Sequence, residues 1–271
     1  MMEDFVRRRL LAMKGDPFLF ANWERVVFLH FAIAPEVLRR QVPAPFGLEL
    51  HEGRGVISLV ALTKTRFRPA QWFPFGWPFR LLHDQRFLNL RTYVRWGDEP
   101  GAFFLWGWLS KPFRAPMPSA ALGFPCAFVS SAYRHQYETG MIAAEIGGNG
   151  RAGRLAYHAN IPAPVRLEPC RPGSLAEFTL ERYTGFFCRR GEPCLFRAWH
   201  PFWKQTALEI SLSDRSLVSA KFPWFDQAKL VSANFSPGFE RVWLGRAHRL
   251  AQVRPSTPAR RGRLSAFYQM P

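Results

Sequence analysis

The chain has 271 residues, enough for one large domain or two small ones. Hydrophobic residues make up 48% of it, but no apolar run reaches the length of about 18 residues that a membrane-spanning helix needs, because prolines interrupt the longest candidate at 115–133. The net charge of +17, from 37 basic and 20 acidic residues, raises the question of a nucleic-acid partner.

Arginine supplies most of this charge, and six arginines lie in Arg246–Pro271, a stretch without an acidic residue. The sequence contains no aromatic RNA-binding motif, no zinc finger and no clear helix-turn-helix. We therefore expect nucleic acid not to be the main partner. Attachment of the Arg-rich tail to nucleic acid or to an anionic surface stays open as an alternative.

The chain is expected to form one domain at 22–254, with a leader at 1–21 and a basic, flexible tail at 255–271. The leader lacks the apolar core of a signal peptide. None of the cysteines forms a C-x-x-C pair, so we expect four reduced thiols and a cytoplasmic location.

Short runs rich in Val, Phe, Trp and Ile, bounded by Gly or Pro, predict β-strands. A tight turn at Glu52-Gly53 predicts a hairpin between Leu48–His51 and Gly55–Val60. The fold class that follows is α+β with mostly antiparallel strands. The predicted strands are Arg25–Ile33, Gly55–Thr65, Leu88–Arg95, Ala102–Leu109, Phe128–His135 and Gly140–Ile146.

Two short helices are predicted beside these strands. Proline suits the first position of a helix at Pro35–Arg40. A capping box formed by Ser174 and Glu177 predicts the start of the second helix. Its apolar positions follow at near-helical spacing: Leu175, Phe178 and Tyr183.

The common catalytic and cofactor-binding motifs are absent from the sequence. It has no dinucleotide fingerprint, no P-loop, no zinc-protease motif and no nucleophile elbow. The seven histidines are scattered without ligand spacing. We therefore predict neither a metal site nor a cofactor.

The segment from Leu88 to Val94 is the most informative for function. Side chains alternate along a strand, so Asn89, Arg91 and Tyr93 are predicted to share one face, and their apolar neighbours the other. An arginine fork flanked by two hydrogen-bonding groups suits a carboxylate or enolate oxygen. The alternative is an ordinary polar outer face of a half-exposed strand.

Four further residues are candidates for a ligand pocket, each with a structural alternative. His200 is a candidate proton carrier or a core histidine, and Cys126 is a ligand contact or a packing thiol. Arg182 either anchors the second helix or reaches the pocket. Trp203, with Trp106 and Trp108, is a candidate for the apolar lining.

The order of these motifs resembles the YqjF-like family of uncharacterised bacterial proteins, a domain of unknown function within the acetoacetate-decarboxylase-like superfamily. The resemblance covers roughly 22–254. It rests on Phe28-Leu29-His30-Phe31, Asn89-x-Arg91-Thr92-Tyr93-Val94, Gly123-Phe124-Pro125, Glu181-Arg182-Tyr183, His200-Pro201-Phe202-Trp203 and Phe235-Ser236-Pro237-Gly238.

The resemblance implies a barrel- or cone-like sheet around a small-molecule cavity, with a few flanking helices. The decarboxylases use a Schiff-base lysine after a Gly-Phe-Pro turn, with a pKa lowered by desolvation and a neighbouring cation. Here Cys126 and Ala127 stand at that place, so decarboxylation by that route is not expected, and Lys111 is expected at the surface. Phe87 replaces a glutamate common in the family; Glu49 and Glu181 are possible substitutes.

Two functions follow from the resemblance and the residues. One is a small-molecule-binding protein that recognises a small carboxylate or carbonyl compound in its cavity. The other is an enzyme acting on a small oxo or hydroxy acid, with Arg91 binding the anionic oxygen and His200 moving a proton. A homodimer is a default expectation.

Overall fold

A computed structural model describes residues 17–69, 84–110, 125–148 and 152–252. Lys111, the Gly123-Phe124 dipeptide and the predicted tail lie outside these residues. Within them the chain forms three short α-helices, α1 (Pro35–Arg39), α2 (Leu175–Leu180) and α3 (Ser216–Lys221), and two 3₁₀ turns, Pro223–Gln227 and Leu250–Gln252.

Strands account for most of the described chain. They are β1 (Pro17–Ile33), β2 (Gly47–Leu48), β3 (Leu50–His51), β4 (Arg54–Pro69), β5 (Gln85–Trp96), β6 (Glu99–Leu109), β7 (Cys126–Phe128), β8 (Ser131–Gln136), β9 (Met141–Gly147), β10 (Arg154–Asn160), β11 (Glu168–Pro169), β12 (Thr184–Arg189), β13 (Glu192–Trp199), β14 (Lys204–Ala207), β15 (Glu209–Asp214), β16 (Lys229–Gly245) and β17 (His248–Arg249). The mostly antiparallel, strand-rich α+β class is confirmed.

Seven strands of the main sheet form a closed path of hydrogen-bonded neighbours. They run in the order β16, β1, β4, β5, β6, β12 and β13, and β13 pairs again with β16 at Ala198–Leu244 and Trp199–Trp243. All of these pairs are antiparallel except β6 with β12. We call these seven strands the ring.

A second sheet, in the order β15, β10, β9 and β8, shares a hydrophobic core with one face of the ring. Side chains such as Leu29, Ile57 and Leu90 meet Ile142 and Leu155 there, all fully buried. Because side chains alternate along a strand, the other face of β1, β4 and β5 points away from this core. That second face builds the candidate site.

Local signals in the sequence explain several element boundaries. Glu52 and Gly53 both have positive φ, as a tight hairpin turn between β3 and β4 requires. The predicted hairpin is present at Leu50–His51, whereas Leu48 pairs with Val94 of β5 instead. The side chain of Ser174 accepts a hydrogen bond from the amide of Glu177 and caps α2. The carboxylate of Glu177 accepts from the amide of Gly173 rather than from that of Ser174.

Candidate functional site

A cavity of about 100 Å³ lies within the ring. Six of the seven ring strands contribute to its wall, and most of that wall is apolar. The residues that line it are Phe18, Leu19, Trp23, Val26, Phe28, Val60, Leu62, Lys64, Phe87, Asn89, Arg91, Phe104, Phe196, Trp203, Leu244, Gly245 and Ala247.

Two cations, Lys64 and Arg91, face this apolar cavity. The Lys64 ammonium lies 4.4 Å from the centre of the Phe87 ring and 5.9 Å from that of Trp23. Desolvation lowers the pKa of Lys64 to about 8. Among the described residues no carboxylate lines the cavity or pairs with either cation.

Several buried polar atoms of the lining have no hydrogen-bond partner among the described residues. They include the indole N–H groups of Trp23 and Trp203, the Nε–H of Arg91 and the side-chain carbonyl of Asn89. An unsatisfied buried polar atom costs about 1–3 kcal/mol, so native proteins keep few of them. Three donors and one acceptor therefore lie in the cavity wall with their hydrogen-bonding capacity unused.

Pairing and packing hold these groups in place. Asn89 Nδ2 donates to the carbonyl of Val60, and one terminal nitrogen of Arg91 donates to the carbonyl of Thr179 at the end of α2. These bonds leave the Asn89 carbonyl and the Arg91 Nε–H unpaired. The predicted shared face of Asn89 and Arg91 is therefore a wall of the cavity rather than a solvated surface.

Gly238 and Glu181 position the two tryptophans of the wall. Gly238 has a φ of +94°, and a Cβ atom there would overlap the carbonyl oxygen of Trp23 on the neighbouring strand. The carboxylate of Glu181 accepts from the amide of Trp203 at 2.9 Å and from the hydroxyl of Tyr183 at 2.5 Å. Burial raises the pKa of this carboxyl.

Tyr93 lies behind the cavity wall in a fully buried polar chain. Its hydroxyl is 2.5 Å from Ser58 Oγ, which is 2.7 Å from His30 Nδ1. Desolvation, with a smaller effect from Arg91, lowers the pKa of His30 to about 3. The predicted role of Tyr93 as a ligand contact stays a prediction, because its hydroxyl is engaged with Ser58.

His200 packs among aromatic rings and is not part of the cavity lining. Its ring stacks on Phe239 and contacts Tyr183, with centroids 5.1 and 4.7 Å apart. Its Nδ1 lies 2.7 Å from the carbonyl oxygen of Pro201 and donates a hydrogen bond to it. Desolvation lowers its pKa to about 4. These contacts resemble those of a core histidine, and its proton-carrying role stays a prediction.

The other candidates lie outside the lining as well. Arg182 pairs with Glu49 at 2.7 Å and lies over the Phe178 ring, so it ties α2 to the sheet. Glu49 is also engaged by Arg95 at 2.7 Å. Cys126 packs against the apolar cluster of the ring interior, and burial raises its thiol pKa. The structure does not bring Arg182, Glu49 or Cys126 into the cavity.

Trp106 and Trp108 require a correction. Both pack into the core that the ring shares with the second sheet, so the prediction that they line the cavity is wrong. The pairing of β6 with β5 shifts by one residue between the pairs Arg91–Phe104 and Leu90–Trp106. This irregularity turns Trp106 and Trp108 to the face of β6 opposite to that of Phe104. Sequence alternation alone does not reveal that shift.

Lys64 is the functional candidate that sequence reasoning missed. A lysine at the end of a predicted strand is typical of an ordinary solvated position. Side-chain alternation, which puts Asn89 and Arg91 on one face of β5, also puts Lys64 on the same face of β4 as the apolar residues Val60 and Leu62. That pattern is the signal that could have found it.

The described ranges contain neither a metal-binding cluster nor a membrane-spanning helix. No group of three or more His, Cys, Asp or Glu side chains within them could hold a metal ion. Among the helices of the described chain, none has the length and hydrophobicity to span a bilayer.

Comparison with known sequences identifies relatives. The model of the DUF2071 family, described as an uncharacterized conserved protein, matches residues 20–239. The uncharacterized protein YqjF of Bacillus subtilis (strain 168) is 30% identical over 104 residues, which are 38% of this chain and 41% of YqjF. The match thus spans less than half of that relative.

Comparison with solved structures extends the likeness to the fold. Acetoacetate decarboxylase from Legionella pneumophila is 14% identical, with a TM-score of 0.56 and 87% of each chain covered. The enduracididine biosynthesis enzyme MppR, complexed with pyruvate, is 13% identical, with a TM-score of 0.57 and coverage of 88% of this chain and 91% of MppR. The predicted likeness to the acetoacetate decarboxylase fold is confirmed, and the chain belongs to the DUF2071 family.

Proposed function

We propose that the ring forms a barrel-like enclosure and that its cavity binds a small carboxylate. The observation behind this proposal is the set of unused donors in an apolar wall: Arg91 Nε–H, the two indole N–H groups and the Lys64 ammonium. Each of these groups can donate a hydrogen bond to an anion. The Asn89 carbonyl adds an acceptor for a hydroxyl group of the ligand.

Electrostatics favours an anion over a neutral ligand. Two cations without a lining carboxylate give the described part of the cavity a positive potential, and the apolar rings around them weaken dielectric screening. Arginine bonds to carboxylates are charge-assisted and geometrically specific. The structural relative MppR is complexed with pyruvate, a small carboxylate, which supports the same ligand class here.

Binding without turnover is the form of the proposal that we favour. His200 is not among the lining residues and its Nδ1 is engaged with the carbonyl of Pro201, and the described lining contains no carboxyl group that could transfer a proton. Cys126, at the place of the decarboxylase lysine, cannot form an imine. The alternative is an enzyme that uses Arg91 and His200, and it predicts that His200→Ala abolishes turnover. If the protein only binds its ligand, His200→Ala should have little effect on ligand affinity.

Replacing Arg91 tests the proposal directly. Isothermal titration of the whole chain with butyrate, and with its uncharged amide as the matched neutral ligand, is expected to show binding of the carboxylate alone. Arg91→Met should weaken butyrate binding by about tenfold or more, because charge-assisted hydrogen bonds contribute about 1.5–3 kcal/mol.

Arg95→Met is the matched control, because Arg95 lies four residues further along β5 but is exposed. It should leave butyrate affinity unchanged. If Arg91→Met fails to fold, Trp203→Phe removes a single indole donor while retaining an aromatic ring, and should weaken binding severalfold. Equal binding of butyrate and its amide, or unchanged affinity in both cavity variants, would contradict the proposal.

A further inference from the structure

Among the described residues, two separate cations face the cavity, whereas recognition of a single carboxylate needs one. Arg91 and Lys64 are not neighbours: along β4 and β5, Lys64 pairs with Gln85 and Arg91 pairs with Ser58. Their side chains approach the cavity from positions six residues apart in the strand register, about 20 Å of backbone. The two cations therefore occupy separate positions in the cavity wall and do not form one binding group.

The aromatic rings that the two cations contact show at which level of the sheet each charge lies. The Lys64 ammonium lies over the ring of Phe87, a residue paired with Leu62 in the strand register. The Arg91 guanidinium lies 5.7 Å from the ring centre of Phe28, a residue paired with Val60. Those two levels are two residues apart on β4, about 7 Å. Both cations thus line one cavity at different levels of the sheet, each beside aromatic rings.

We infer that the ligand is a short dicarboxylate, bound with one carboxylate at Arg91 and the other at Lys64. This inference rests on the proposed function and specifies its ligand class. Two charges on the ligand match the two cations that face the cavity, and the aromatic wall contacts the carbon chain between them. Room for roughly seven water-sized atoms suits a chain of about three to five carbons.

Lys64 has no anionic partner among the described residues, and this supports the assignment. A desolvated ammonium is unfavourable unless an anion compensates it, and no carboxylate among the residues that the structure describes does so. Its contacts with Phe87 and Trp23 are cation–π interactions, which compensate for only part of the lost hydration. A ligand carboxylate provides the remaining partner.

The test compares each dicarboxylate with the monocarboxylate of the same chain length. Titration calorimetry of the whole chain uses malonate, succinate and glutarate beside propionate, butyrate and valerate. The best dicarboxylate should bind at least tenfold more tightly than its monocarboxylate partner. Lys64→Met should reduce that preference to within about twofold, because it weakens dicarboxylate binding far more than monocarboxylate binding, and Lys229→Met, at an exposed lysine, should retain it.

The outcomes separate the inference from the proposed function. Monocarboxylates that bind as tightly as dicarboxylates, or a preference that survives Lys64→Met, would overturn the dicarboxylate assignment and leave carboxylate binding intact. A borohydride-reducible adduct of pyruvate on Lys64 would also overturn it, since the lysine would then act as a nucleophile. If no acid of either series binds, the proposed function fails as well.

Discussion

Acid unfolding between about pH 5 and 4 is the expected result of burying three uncharged histidines. His30, His135 and His200 are nearly or fully buried, and desolvation lowers their pKa values to about 3, 4 and 4. In the unfolded chain each imidazole regains a pKa near 6.5. Between pH 6.5 and about 4 the unfolded state therefore binds up to three more protons than the folded state.

The sign of the effect follows from proton linkage. Stability decreases as the pH falls wherever the unfolded state binds more protons, so these histidines contribute no loss at pH 7 and a growing loss below pH 6.5. Each histidine lowers the free energy of unfolding by about 2–3 kcal/mol at pH 4.5, or about 6–9 kcal/mol together. That sum is comparable with the whole stability of a typical domain. Protonation of Glu181, whose pKa burial raises, offsets a small part.

Urea unfolding followed by tryptophan fluorescence at several pH values measures this loss. His135→Gln should reduce the slope of stability against pH by about one third, since one of three protons is removed. His158→Gln is the control, because His158 is exposed and its change should leave the slope unaltered. If the slope of unfolding free energy against pH in the wild type corresponds to less than one proton, the buried histidines already bind protons in the folded state.

Local sequence signals predicted elements whose determinants lie close together in the chain. The hairpin turn at Glu52-Gly53 and the cap at Ser174 depend on a few neighbouring residues, and both are present. Alternation along β5 also predicted correctly that Asn89 and Arg91 share a face. The sequence could not show that the paired strands close into a ring, because closure depends on pairing between Trp199 and Trp243.

The remaining site residues depend on long-range geometry for the same reason. Tyr93 shares the strand face of Arg91, yet a hydroxyl on β4, that of Ser58, engages it. His200 follows β13, and packing against Phe239 on β16 holds its ring outside the lining. Lys64 enters the cavity only because β4 pairs on both sides within the ring. No local pattern specifies those partners.

Lys64→Met is expected to stabilise the ligand-free chain, although it removes a binding group. Desolvation lowers the pKa of Lys64 to about 8 from an ordinary value of 10.5, a cost of about 2–3 kcal/mol after discounting for the partly exposed side chain. Methionine retains much of the apolar packing without the charge. The cost is complete below pH 8, where both states hold the proton, and disappears above pH 10.5, where neither does.

The difference in stability between Lys64→Met and the wild type should therefore shrink as the pH rises from 8 to 10.5. Urea unfolding across that range measures it, and Lys229→Met, at an exposed site, should show little difference at any pH. A variant less stable than the wild type at pH 7 would mean that the ammonium already has a compensating partner. A gain in stability at the expense of dicarboxylate affinity indicates that the charge is retained for binding, since folding alone favours its removal.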